Sequence, residues 1–241
     1  MRHITYTIGI DEVGRATSKR RASPSFHIIG IDEVGRATSK RRASPSFHII
    51  GIDEVGRGAL AGPVVVAAVA LPKGFSPRRN NMPPLKDSKQ LSHSQRTKWL
   101  NYVKSDPHVF YASARVYQGK IDKKNISRAA NIAASKALQR LLDQSPVKKF
   151  SVILDGSLYL YDANHKKLSS RTIIRGDERF ISIKLASIVA KITRDEYMTR
   201  LHKKYPEYEF GRHKGYGTKL HKSMIKKYGV RDTHRLTFIK N

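Results

Sequence analysis

Adjacent acids at the end of an apolar run are the residues of this 241-residue chain best placed to do chemistry. The octapeptide IGIDEVGR occurs at residues 8–15, 29–36 and 50–57, so the chain carries Asp11-Glu12, Asp32-Glu33 and Asp53-Glu54. Two more apolar runs end in an acid beside a glycine. Asp155 follows SVIL and precedes Gly156, and Asp177 follows TIIRG. Carboxylates gathered at the ends of neighbouring strands hold hard cations such as Mg2+ or Mn2+. Two such ions about 4 Å apart activate a water and steady the leaving oxygen in phosphodiester hydrolysis. Asp beside Gly is also ordinary turn chemistry. The argument for a metal centre therefore rests on the set, in a chain with 19 acids against 47 lysines and arginines. Side chains alternate along a strand, so Asp53 and Glu54 can share one site only if the chain bends there.

Candidate contacts for a phosphate or a base surround these acids. Arg57 lies between Gly56 and Gly58, where backbone can approach a ligand closely. Lys89 sits in LKDSKQL, Lys191 and Arg194 on a long helical run, and His213, Lys214 and Tyr216 in the glycine-punctuated GRHKGYGT. The cations suit phosphate contacts, and Tyr216 suits stacking on a base or sugar. His234 is a further candidate base, carried only by its Thr-His-Arg context. None of the 10 histidines has HExxH spacing, and there is no phosphate-cradling glycine loop.

The net charge of +28, with pI ≈ 10.4, calls for a polyanionic partner, because each phosphate neutralised releases counterions. With no cysteine there are no disulfides and no thiolate metal sites. No apolar run approaches the length of a membrane span, and acids occupy the place of a signal peptide's apolar centre in MRHITYTIGIDEVGR. A cytoplasmic protein without membrane contact is expected.

The elements that must position these residues begin after a repeat. Residues 9–29, GIDEVGRATSKRRASPSFHII, are repeated without change at 30–50. Solenoid units drift and keep only their packing positions, so this identity reads as a recent duplication. SKRRASPS is polar, basic and proline-containing, which makes residues 1–46 an expected disordered tail and 47–241 the folded domain. The RRAS at Ser23 and Ser44 has the look of a basophilic kinase site, to which a duplicated linker gives little weight. Strands are expected at 47–53, 62–72, 108–117, 149–156 and 170–177. Helices are expected from the Ser92/Gln95 capping box, over 125–144 and 181–205, and near 218–228. This order argues for an α/β mixed sheet with helices packed on it.

GIDEVGRGALAGPVVVAAVAL, LKDSKQLS, NI, LDG, GD, LASIVAKITRDEYM, YPEYEFGRHKGYGTKLH and THRLTF resemble, in this order, the bacterial ribonuclease HII family. The resemblance spans about residues 48–240. It implies a ribonuclease H-like fold with a C-terminal helical segment. It also implies endonucleolytic hydrolysis of RNA in RNA·DNA hybrids and nicking on the 5′ side of single ribonucleotides in duplex DNA, leaving a 3′-hydroxyl. Carried over by residue, the metal-binding catalytic carboxylates fall on Asp53, Glu54, Asp155 and Asp177. The element sensing the ribose 2′-hydroxyl falls on Gly56, Arg57 and Gly58, and the junction-checking tyrosine on Tyr216. The lysine of the family's DSK motif falls on Lys89, a substrate phosphate contact, and the helical Lys191 is a further expected substrate contact on its charge alone. Mn2+ or Mg2+ is the implied cofactor, and a monomer is expected. The run GDERFISIKLAS departs from the small residues usual after Gly-Asp in the family, with Glu178, Arg179 and Lys184 the unusual positions. Asp195 is the rival acid and reads as structural.

Only the third repeat start continues into Gly58 and the Gly62-Pro63 strand, so Asp53 and Glu54 are the expected working pair. An upstream copy with the same side chains could displace residues 48–54 from the sheet. In that case deleting residues 1–46 preserves or raises activity. Two rival functions stand beside the enzyme reading. One is a catalytically impaired nucleic-acid binder whose duplication disrupts the first strand. The other is a ribonuclease HIII-like enzyme, whose extra N-terminal domain the short polar repeats do not resemble.

Overall fold

The computed structural model describes residues 5–6, 26–28, 47–77, 81–162 and 166–239, the first two segments as backbone. The upstream acids Asp11, Glu12, Asp32 and Glu33, the serines Ser23 and Ser44, and most of the expected 1–46 tail lie outside them. The strands are β1 (Thr5–Tyr6), β2 (Phe26–Ile28), β3 (His48–Val55), β4 (Val64–Pro72), β5 (Phe110–Val116), β6 (Lys149–Asp155) and β7 (Arg171–Ile173). The helices are α1 (His93–Ser105), α2 (Gln118–Lys124), α3 (Ile126–Asp143), α4 (Gly176–Arg179), α5 (Ile181–Lys204), α6 (Phe210–His213), α7 (Lys219–Tyr228) and α8 (Leu236–Ile239).

One mixed sheet runs β1-β2-β6-β3-β4-β5, with β7 also paired to β6. β3 is antiparallel to β4 and parallel to β6. β4 is buried along nearly its whole length because helices cover both faces of the sheet. On one face Ile50, Ile52, Val66, Ala68 and Leu154 meet the alanine-rich side of α3. On the other, Ala67, Val69 and Leu71 meet Trp99 and Leu100 of α1 and Leu185, Ile188 and Val189 of α5. The capping box at Ser92 and Gln95 forms as its spacing predicts and starts α1.

Gly51 explains how α5 reaches the site. A Cβ there would stand 2.3 Å from the Ser182 carbonyl carbon, so only glycine lets the start of α5 lie against β3 two residues before Asp53. Beyond the sheet, Ala61, Met198, Leu201, Tyr208 and Phe210 form a second, smaller core around the end of α5.

β2 repeats the Phe-His-Ile of residues 47–49 and also pairs parallel with β6, with His27 opposite Lys149. His48 of β3 lies opposite Phe150. The second copy thus adds to the far edge of β6, offset by one residue, and β3 keeps the third copy. Among the described residues no helix is long and apolar enough to cross a membrane.

Candidate active site

The acids meet where β3 and β6 end side by side. The parallel register places Ile52 opposite Leu154, which brings Asp53 and Asp155 to the same level on neighbouring strands. Asp177 arrives differently from expectation. β7 stops at Ile173, Arg175 turns in the left-handed region at φ 54°, and Asp177 sits in the short helix α4. The Gly176 amide donates to Asp155 Oδ1 at 2.6 Å, which ties α4 to the end of β6. A side chain at Gly176 would collide with Ile183 Cδ1 at 2.5 Å.

The expected bend after Asp53 is absent. β3 stays paired through Val55, with Glu54 opposite Val66. Strand alternation therefore directs Asp53 and Glu54 to opposite faces. Asp53 turns to α5, where the Ser187 hydroxyl bonds it. Ser187 in turn pairs with Ser88 at 2.8 Å. Glu54 forms a loose ion pair with Arg57 at 3.5 Å, and Arg57 Nη2 donates to Ser127 Oγ at the start of α3.

The site is poor in compensation for its acids. Burial, then the Glu54 charge, pushes the Asp53 carboxyl well above the ordinary carboxylate range. Burial pushes Glu54 up to about 7, against the opposing pull of Arg57 and with Asp155 adding to it. Asp177 is raised by burial, then by Asp155 and Asp87. Among the described residues no three acids or histidines stand together as a ready metal cage. The donor set still suits a divalent cation. All four groups are hard oxygens, and Glu54 Oε2 is buried with no hydrogen-bond partner, as a cation ligand would be before its ion arrives.

Beside the acids, two glycines of one motif do different work. Gly56 has φ +90°, and a Cβ there would lie 2.2 Å from Arg194 Nε, so the fold itself demands glycine. At Gly58 an added Cβ meets nothing within 4 Å and the residue is exposed, so nothing inside the chain demands glycine there. Tyr216 bridges to Ala59, and the Leu60 and Ala61 amides donate to Gly215 O at 2.8 and 3.2 Å. The Gly-Arg-Gly turn and Tyr216 thus form one surface. Lys89 is exposed and counteracts the raised carboxyls of Glu54 and Asp177, so its charge faces the acids.

Other candidates change role. Arg194 is fully buried and donates to the carbonyls of Pro63, Ala61 and Lys214, so it makes no phosphate contact. His213 is buried, bonded to Tyr208 O and to the Gly215 amide. Lys191 Nζ bonds Asp195 at 2.8 Å, which makes Asp195 the structural acid expected. His234 is 2% exposed and belongs to a buried histidine chain, not to the acid corner. Sequence reasoning missed Ser88 and Ser187, although Ser88 lies inside LKDSKQL. It also missed Arg235, which donates to Arg57 O and Gly62 O. The Thr-His-Arg context at 233–235 was the only available signal.

Residues 50–241 match the family model described as Ribonuclease HII. Ribonuclease HII of Chlamydia pneumoniae is 41% identical over 75% of this chain and 78% of its own length. The crystal structure of ribonuclease H2 from Pyrococcus horikoshii OT3 superposes with TM-score 0.60 at 25% identity, covering 80% of this chain and 95% of that one. A Bst-RNase HIII structure in complex with Mn2+ has TM-score 0.62 at 19% identity over 81% of this chain and 68% of its own, a likeness of fold. The ribonuclease H-like fold, the buried acids at the strand ends and these matches agree, and the chain belongs to the ribonuclease HII family, whose members are ribonuclease H type 2 endoribonucleases acting on RNA–DNA hybrids.

Proposed function

We propose that this protein hydrolyses the phosphodiester on the 5′ side of a ribonucleotide, both in RNA·DNA hybrids and at single ribonucleotides in duplex DNA. The products are a 3′-hydroxyl and a 5′-phosphate. The observation that carries this reading is the joining of Gly58 and Tyr216 into one surface beside the acids of β3, β6 and α4.

Asp53, Glu54, Asp155 and Asp177 would hold two divalent ions, Mg2+ or Mn2+. When bound, such ions supply a nucleophilic water at neutral pH and stabilise the leaving oxygen. The protein's own groups bind and orient. Open backbone at Gly58 gives the ribose 2′-hydroxyl, which is what separates RNA from DNA, a place to be met by main-chain groups. The half-buried Tyr216 ring offers a face for the neighbouring sugar. Lys89 and Arg57 supply phosphate contacts at the rim, and Lys191, held by Asp195, lends charge from α5.

The test uses a 5′-labelled DNA duplex with one ribonucleotide, incubated with the full-length chain and Mg2+ or Mn2+. A single nick immediately 5′ of the ribonucleotide is expected, and none in EDTA. Tight binding without cleavage in either metal would instead favour the impaired binder.

A further inference from the structure

Arg194 touches both elements that read the substrate, and it does so from beneath. Its guanidinium is 0% exposed. Nε donates to Pro63 O at 3.1 Å and Nη2 to Ala61 O at 3.1 Å, both in the strap that follows the Gly-Arg-Gly turn. Nη1 donates to Lys214 O at 2.8 Å, two residues before Tyr216. Its flat face lies 5.1 Å from the centre of the Tyr216 ring. Its edge fills the space where Gly56 has no side chain, 2.2 Å from the Cβ another residue would place there.

A buried cation without a hydrogen-bonded carboxylate is an expensive choice for a merely structural tie. A planar fork with five donors is what reaches three carbonyls on two segments while keeping a face free for an aromatic ring. Lysine, with one nitrogen, cannot do both. The carbonyls that Arg194 holds inward leave the opposite side of the strap to face the substrate.

We infer that Arg194 is a positioning and specificity-determining residue: it sets the distance between the 2′-hydroxyl-reading turn at Gly56–Gly58 and the sugar-stacking Tyr216, so that the two act as one junction reader. This inference rests on the proposed function. It separates two kinds of substrate. A single ribonucleotide in DNA offers one 2′-hydroxyl and one junction, and both readers must register together. A uniform RNA·DNA hybrid offers a 2′-hydroxyl at every position of its RNA strand, so a displaced reader finds another.

The experiment measures kcat and KM for both substrates with wild-type protein, Arg194→Lys, Tyr216→Ala and the double variant, each checked by circular dichroism and thermal melting. Arg194→Lys is expected to lose about tenfold or more in kcat/KM on the single-ribonucleotide duplex and less than about threefold on the hybrid. Tyr216→Ala should show the same selectivity, and the double variant should be no worse than the poorer single one. If Arg194→Lys does not fold, Arg194→Gln, which keeps an amide donor for these carbonyls without burying a charge, should give the same selective loss. Equal losses on both substrates, or additive losses in the double variant, overturn the inference alone. Wild-type protein that cuts neither substrate overturns the proposed function and the inference with it.

Discussion

The acid corner and the lobe beyond it bury like charges in opposite ways. In the corner, Asp53, Glu54 and Asp177 all have raised carboxyls, and Glu54 Oε2 has no partner. In the lobe, Arg194 and Arg235 are both 0% exposed and repel one another, yet six of their donor nitrogens are bonded to carbonyls of the Gly-Arg-Gly turn, the strap and the Tyr216 loop. Charge left uncompensated marks where an outside ligand is to arrive. Charge satisfied throughout marks where rigidity is the task. The corner is therefore strained as it stands, and the lobe is a finished piece of structure.

The contrast breaks most readily at one residue from each side. Asp53→Asn should reduce cleavage by about a thousandfold, from the lost cation ligand. In EDTA it should also raise the melting temperature at neutral pH, because a carboxyl whose folded pKa is raised destabilises the fold once ionised. Arg235→Met should do the reverse to stability, lowering it by about 3 kcal/mol or more, since Gly62 O and Arg57 O lose their donors inside the protein. Thermal melts of the two variants beside wild type settle it. Both falling would mean that the acid corner is as well satisfied as the lobe.

The corner was far more legible in the sequence than the lobe. Acids at the ends of apolar runs are a local pattern, so Asp53, Glu54 and Asp155 could be picked from their immediate neighbours. Asp177 was found as an acid but placed on a strand, because TIIRGD has β-branched residues and nothing local marks the left-handed turn at Arg175. The bend expected after Asp53 failed for a tertiary reason, since the ladder with β4 continues to Val55. In the lobe, Arg194 looked like any helical cation at a nucleic-acid surface. Its burial depends on Ala61, Pro63 and Lys214, which lie far from it in sequence. Arg235 and His234 were nearly invisible for the same reason. A side chain whose partners are backbone carbonyls leaves no residue-type signature at the other end.

Glu54 sharpens the comparison through pH. Its folded pKa is raised to about 7, so the folded state holds a proton there that the unfolded chain has released above about 4.5. Wild-type stability in EDTA should fall as pH rises from 4.5 to 7, by at most about 3 kcal/mol. Glu54→Gln should remove the share of that fall due to Glu54, being near wild type at pH 4.5 and more stable at pH 8, while Asp53 and Asp177 keep theirs. Urea midpoints at the two pH values check it, and an unchanged pH slope in the variant would show that Glu54 ionises freely.

The lobe should give the opposite slope. The Gly215 amide donates to His213 Nδ1, which leaves Nε2–H to donate to Tyr208 O. The Arg231 amide donates to His234 Nδ1, so His234 Nε2–H donates to His221 Nε2. His221 must then donate from Nδ1 to Tyr216 O. Each ring has one tautomer, all three are neutral, and no nitrogen is left to take a proton without breaking a bond that supports residues 208–216. Burial, then His213, holds His221 down to about 4, against the 6.5 of an ordinary histidine. The unfolded chain therefore binds protons first as pH falls below 6.5, and stability present above that value is lost toward pH 4, by up to about 3 kcal/mol from His221. In wild type the Glu54 slope masks this loss over the same range. Glu54→Gln weakens that mask, Asp53 and Asp177 keeping their part of it, and adding His221→Phe to Glu54→Gln should make the variant keep more of its stability as pH falls from 6.5 to 4.5, at the cost of a lower midpoint throughout. If adding His221→Phe leaves the pH dependence of Glu54→Gln unchanged between pH 6.5 and 4.5, His221 accepts a proton without rearrangement and the lobe is not the finished structure that its hydrogen bonds describe.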